Sequence, residues 1–263
     1  MPVNAVAAER PVLAKVVGNV YGRMAKLNKR IGGGAPMAKR VLKRAAIVVA
    51  AIVGVLACVA AIALIVLHVR TGALHDDYSA KLAGAQYSTP VQAEGVKVIT
   101  QDVSCGYAVI EMFSAWDHGS ITEKSLYDEY GKVVTSTGQS FADEMNKQFP
   151  AYQTTMRKYL TDSELLAAIH DSLAVGVPVP IEWAAKYGDE WTLHYSLVTG
   201  LDIPNDKVTV ANPYGYVEEL PIADFLRRTS FEAYENMPLF LKLGFAFGVF
   251  EENTAFVPEH RAS

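Results

Sequence analysis

A chain of 263 residues with a net charge of -4 has room for a membrane anchor and one folded domain of roughly 180 residues, which can bury a core without disulfides or metals. Residues 1–44 carry ten Lys/Arg against Glu9 alone, leaving 14 Lys/Arg against 27 Asp/Glu, a net of -13, in the remainder. An acidic domain repels phosphates, which excludes nucleic acid as its partner, whereas the basic leader suits the anionic inner leaflet of a membrane.

In the leader, Val12, Leu13, Val16, Val17, Val20, Met24 and Leu27 recur at about helical spacing between Lys15, Lys26 and Lys29. That pattern fits either an amphipathic helix on the inner leaflet or a solvated basic tail whose charges fix topology. Ile31-Gly32-Gly33-Gly34-Ala35-Pro36 reads as a hinge. Residues 45–67 hold no charge, and about 20 apolar residues span a bilayer core as a helix. A cleaved signal would have a shorter basic lead and an apolar region of about 7–15 residues, so 45–68 is expected to be an uncleaved transmembrane helix. Lys39, Arg40, Lys43 and Arg44 precede it, and only Arg70 follows closely. The excess of positive charge puts the N-terminus in the cytoplasm and the C-terminal domain outside, as in a single-pass plasma-membrane protein.

Residues 69–94, broken by Thr71-Gly72, Asp76-Asp77 and Ser88-Thr89-Pro90, read as a linker, and Val96–Thr100 as a short strand. In the domain, 95–263, Ala108, Val109, Met112, Phe113 and Trp116 fit one helical face, ended by Asp117-His118-Gly119. Ser120–Glu123 and Thr161–Glu164 have the spacing of capping boxes, the second opening a helix through Leu165, Leu166, Ile169 and Leu173. Val177–Trp183, Leu193–Leu201 and Lys207–Ala211 are rich in Val, Ile and Thr and read as strands, with a hairpin turn at Pro204-Asn205-Asp206. Phe240–Phe250 reads as a further strand within a buried stretch, 239–250. Helices first and strands after give an α+β fold.

Two cysteines are present, Cys58 in the apolar run and Cys105 in the domain, and they are too differently placed to pair. Cys105 stands where a helix begins, and a helix N-terminus favours the thiolate. His194 lies in an apolar strand and Asn212-Pro213 follows another. In that order the three supply nucleophile, base and the residue that orients the imidazole. Gln101 is suited to donate its amide to an oxyanion. Each has an ordinary alternative: a buried thiol, a core histidine, a turn. Trp183, Trp191 and Tyr195 fit a substrate groove or a core, His118 a surface turn, and His170 a solvated helix face. Asp202 and Asp206 are alternatives to Asn212. The scattered histidines suggest no metal, and no cofactor is implied.

Around Ser104-Cys105-Gly106-Tyr107-Ala108, His194-Tyr-Ser-Leu-Val-Thr-Gly200 and Val208-Thr-Val-Ala-Asn212-Pro213-Tyr-Gly215, the chain resembles the papain-like cysteine peptidases of the bacteriocin-leader-processing (double-glycine) type. The resemblance covers about residues 95–220. It implies a papain-like fold, a nucleophile helix on an antiparallel sheet that carries the histidine, and thiol hydrolysis of a peptide or protein substrate. Gln101 stands closer to the cysteine than is usual there, and Asn212 stands where leader-processing members commonly have Asp. Those proteases act inside the cell, so leader processing does not carry over to an outward-facing domain. The expectation is an extracytoplasmic cysteine peptidase. The alternatives are an inactive papain-like binding module and a thiol acyltransferase.

Overall fold

The computed structural model describes residues 36–234, 237 and 239–261. The leader's apolar pattern and the Gly32–Gly34 hinge lie outside the described residues. Two compact units divide the chain, Met1–Val59 and Ala60–Ser263.

Helix α1 runs Pro36–Leu74. Among the described residues it is the one helix long and apolar enough to cross a membrane. Its side chains from Ile47 to Val69 are largely exposed, Cys58 among them. It does not stop at residue 68. Ala63, Leu67, Thr71 and Leu74 are buried, and steps of four, four and three put them on one helical face.

The stretch read as a linker is folded against the domain. After α1 come α2 (Tyr78–Lys81), a short 3-10 turn (Ala85–Tyr87) and β1 (Val91–Gln92), with Leu82 and Ala93 in the core. Against the upward pull of burial, hydrogen bonds from Lys81 and Ser163 hold the Asp76 carboxyl down at about 2. The Ser163 bonds tie the stretch to α6 (Asp162–Ala174). Val96–Thr100 is not a strand.

Helix α3 spans Cys105–Trp116, and the side chain of its N-cap Ser104 accepts from the Tyr107 amide. Two more helices follow, α4 (Glu123–Tyr130) and α5 (Gly138–Gln148). The expected capping box at Ser120–Glu123 is displaced: Thr122 is the N-cap and Ser125 completes the box. The Glu123 carboxylate is occupied elsewhere, by the backbone before α3. The box at Thr161–Glu164 forms as the spacing predicts.

The sheet is antiparallel. Its strands are β2 (Tyr152–Arg157), β3 (Val179–Tyr187), β4 (Glu190–Asp202), β5 (Lys207–Asn212), β6 (Tyr216–Leu220) and β7 (Thr254–His260). Their order is β2-β7-β3-β4-β5-β6, with β1 paired to β4. The alternation of side chains divides the core. Tyr195, Leu197, Ala211 and Phe256 pack with Tyr107, Ile110 and Phe113 of α3. Val179, Ile181, Trp183, Val208 and Val210 pack with α6 and with α7 (Ile222–Arg228). This is an α+β, papain-like arrangement, a cysteine-bearing helix on an antiparallel sheet.

Phe240–Phe250 is not a strand and is not uniformly buried. Leu239–Ala246 is helix α8, and Leu239, Phe240, Phe247 and Val249 are exposed. The strand that pairs with β3 on its free side is β7 instead, through Ile181↔Ala255 and Glu182↔Thr254.

Candidate active site

Cys105 is the first residue of α3. Its neighbour Gly106 has no room for a side chain, since a Cβ there would lie 2.3 Å from Thr135 Oγ1. Burial pushes the Cys105 thiol up. The amides of Tyr195, Gly106 and Cys105 pull it the other way, and the Glu182 carboxylate adds to the rise. Burial therefore outweighs the helix N-terminus, contrary to what position alone suggests. The Tyr195 amide places the sulfur against β4, one residue along from His194.

His194 is 2 % exposed and Asn212 is fully buried at the end of β5. His194 Nε2 lies 3.1 Å from Asn212 Oδ1, which also accepts from the Tyr214 amide at 3.0 Å. The Asn212 side-chain nitrogen donates to Tyr216 Oη and to Glu218 Oε2. An oxygen that accepts from Tyr214 must accept from the imidazole too, so Nε2 carries the proton and Nδ1 keeps its lone pair. The ring stacks on Tyr214 with centroids 4.1 Å apart. Burial lowers its pKa to about 4; the bond to Asn212 works against this and the Arg228 charge reinforces it. The polar contacts of the thiol are backbone amides, and the imidazole bonds to Asn212; no hydrogen bond joins the two.

Gln101 precedes this helix on a loop whose backbone reaches the Asn212 turn: its N–H donates to Pro213 O at 2.8 Å. Its side-chain oxygen is buried without a partner.

Two supports were not visible in the sequence. Glu123 is 4 % exposed, and its carboxylate accepts from the amides of Asp102, Val103 and Ser104, each at 3.0 Å. It thereby clamps the loop between Gln101 and Cys105. Arg228 donates to Ala184 O and to both carboxylate oxygens of Glu218, and lies 3.7 Å over the Trp183 ring. Through Glu218 it fixes Asn212. An acid at 123 and a base at 228 carry no local signal of these roles, which arise only from the folded contacts.

The remaining candidates fall elsewhere. Trp183 is core, bonded to Ser196 and packed on Phe225. His118 sits at an exposed turn with positive φ. His170 is not solvated but 6 % exposed, edge-on to Tyr87. Asp202 caps its own turn at Asn205, and Asp206 accepts from the Ile222 amide.

No curated protein matches the chain. A solved double glycine motif protease from an AMS/PCAT transporter, in complex with the leader peptide, is similar at 13% identity and a TM-score of 0.41, over 66% of this chain and 99% of that one. The Peptidase_C39 like family matches residues 90–238, which hold all four candidate residues, and the chain belongs to that family.

Proposed function

We propose that the chain is a membrane-anchored thiol peptidase, held by α1 with its N-terminus in the cytoplasm and its domain outside. It hydrolyses a peptide or protein substrate through Cys105, His194 and Asn212. The observation that carries this reading is the 3.1 Å bond between His194 Nε2 and Asn212 Oδ1, in a chain whose cysteine opens α3 within the family match. With the proton on Nε2, Nδ1 keeps a lone pair, which supports its reading as the base.

In the reaction, Nδ1 takes the thiol proton and the sulfur attacks the scissile carbonyl. The oxyanion draws on the amide at the start of α3 and on the Gln101 side chain. The imidazolium then protonates the leaving amine, and water hydrolyses the thioester with Nδ1 again as base. Burial disfavours both charged partners at rest and no hydrogen bond joins them, so this reading requires substrate binding to bring the sulfur and Nδ1 into contact. The concentration of basic residues before α1's apolar run, against Arg70 after it, supports the orientation.

The test uses the full chain in nanodiscs against a peptide library. Cys105→Ala is expected to abolish cleavage and His194→Ala to lower it by about 10²-fold or more. Unchanged cleavage in Cys105→Ala sinks the proposal. A second reading, a catalytically silent peptide-binding module, is favoured by the burial of the two groups and by the lack of a hydrogen bond between them. It requires the wild type to cleave nothing and to resist thiol-directed inhibitors while Cys105→Ala still binds peptide.

A further inference from the structure

The segment between α7 and β7 joins buried contact to exposed apolar surface. On its inner side Phe245 packs in a cluster with Leu67, Phe231 and Met237, against which Leu241, Ala246 and Phe250 also lie. Arg70 donates to the Phe245 carbonyl at 2.8 Å and to Glu252 at 3.2 Å. Thr71 donates to the same Glu252 carboxylate. The segment is therefore fastened to α1 at Leu67–Thr71, where the uncharged run ends. On its outer side Leu239, Phe240, Phe247 and Val249 are 55–62 % exposed, while Ile62, Ile65, Val66 and Val69 of α1 are 53–69 % exposed. Four large exposed apolar side chains in so short a segment mark an interaction surface. All four, with the whole of α8, lie beyond the family match, which ends at residue 238.

We propose that α8 and the turn at 247–249 form a second membrane contact, seated in the lipid interface beside α1. The inference rests on the reading of α1 as a membrane anchor. Lipid is the occupant because α8 is bonded to α1 at the residues where an apolar helix leaves a bilayer. A helix there lies with its apolar face roughly 5–10 Å into the boundary of headgroups and acyl chains. Lys242, half-buried on α8, has a stem long enough to carry its ammonium out to the headgroups. An anchor of one helix leaves the molecule free to tilt in the membrane; a second contact away from the helix axis restrains that tilt and fixes which side of the domain faces the membrane.

The test uses the full chain in vesicles containing lipids spin-labelled either high on the acyl chain or near its end. Phe240→Trp and Phe247→Trp are compared with the parent, whose Trp116, Trp183 and Trp191 set the baseline. Leu56→Trp serves as the control in the middle of the apolar run. The added emission of both α8 variants is expected to be quenched more by the shallow label than by the deep one, and that of Leu56→Trp more by the deep one. If Leu56→Trp is quenched and neither α8 variant is, the second contact does not exist. Blue-shifted emission at 240 and 247 without quenching would mean that protein covers the patch, which also overturns the proposal. Failure of Leu56→Trp itself overturns the anchor reading, and the second contact with it.

Discussion

His194 sits in an apolar strand, bonded to Asn212 and stacked on Tyr214, and burial there holds it uncharged. Its value in the folded chain, about 4, lies below the ordinary 6.5. As pH falls through that window the unfolded chain takes up a proton that the folded chain does not. Stability is therefore lost on acidification between 6.5 and about 4, by roughly 3 kcal/mol for the whole window. His194→Gln leaves a donor for Asn212 but no titrating group. Denaturant unfolding of wild type and variant at pH 7 and pH 4.5 is expected to show a smaller acid loss in the variant, and equal losses would place the proton elsewhere. The residues of the candidate site were legible at this scale because their order and local contexts are specific: a cysteine at a helix start, a histidine in a strand, an Asn-Pro at a strand end. The partners were not. Glu218 meets Asn212, and Arg228 meets Glu218, only because β6 folds back on β5 through Asn212↔Tyr216 and α7 returns to β3 at Ala184.

Among the elements, those with a strong local period could be read directly. α3 and α6 have apolar stripes and hydroxyl caps, and β3, β4 and β5 are β-branched runs between turns. The misses share a physical cause, which is that tertiary pairing overrides composition. β2 is polar in the sequence Tyr152–Arg157 and becomes a strand by pairing along its whole length with β7. β7 follows Glu251-Glu252-Asn253, which looks like a loop, yet Glu252 and Asn253 are fully buried and bonded. α8 is Phe- and Leu-rich, like a strand, yet forms a helix that packs on α1 through Phe245 and is bonded there by Arg70. Glu123 shows the same effect within one element. Its carboxylate leaves the capping role that sequence spacing offers and binds three amides of the loop before α3. Glu123→Gln removes the charge and keeps one accepting oxygen, and hydrogen bonds to a charged group contribute about 1.5–3 kcal/mol each. The expected outcome is a lower melting temperature and faster hydrogen exchange at Asp102, Val103 and Ser104, with exchange in β3 and β4 unchanged. Unaltered exchange at those three amides would show that the loop holds its shape without the clamp.

For the whole molecule, the boundary suggested by the sequence differs from the one set by packing. Thr71-Gly72 and Asp76-Asp77 look like a linker, and a chain cut at His75 looks like a complete domain. In the structure Leu67 and Thr71 are fully buried, and the Glu252 carboxylate, 0 % exposed, accepts from Arg70, Thr71 and the Phe231 amide. A chain beginning at His75 keeps only the last of these three donors. It loses the burial of Leu67, about 1.5–3 kcal/mol. It also leaves a buried carboxylate without its cation, about 3–5 kcal/mol for a broken buried pair. Against a domain stability on the order of 5–15 kcal/mol, that loss is a large fraction of the total. Residues 75–263 are therefore expected to melt far below the full chain or to aggregate, whereas residues 60–263 in detergent micelles should melt close to it. Circular-dichroism melts of the three chains decide the matter, and equal midpoints for 60–263 and 75–263 would return 69–74 to the role of a tether. If the difference holds, a cut after Leu74 unfolds the domain instead of releasing a folded one. The last turns of α1 then belong to the folded domain as well as to the proposed anchor.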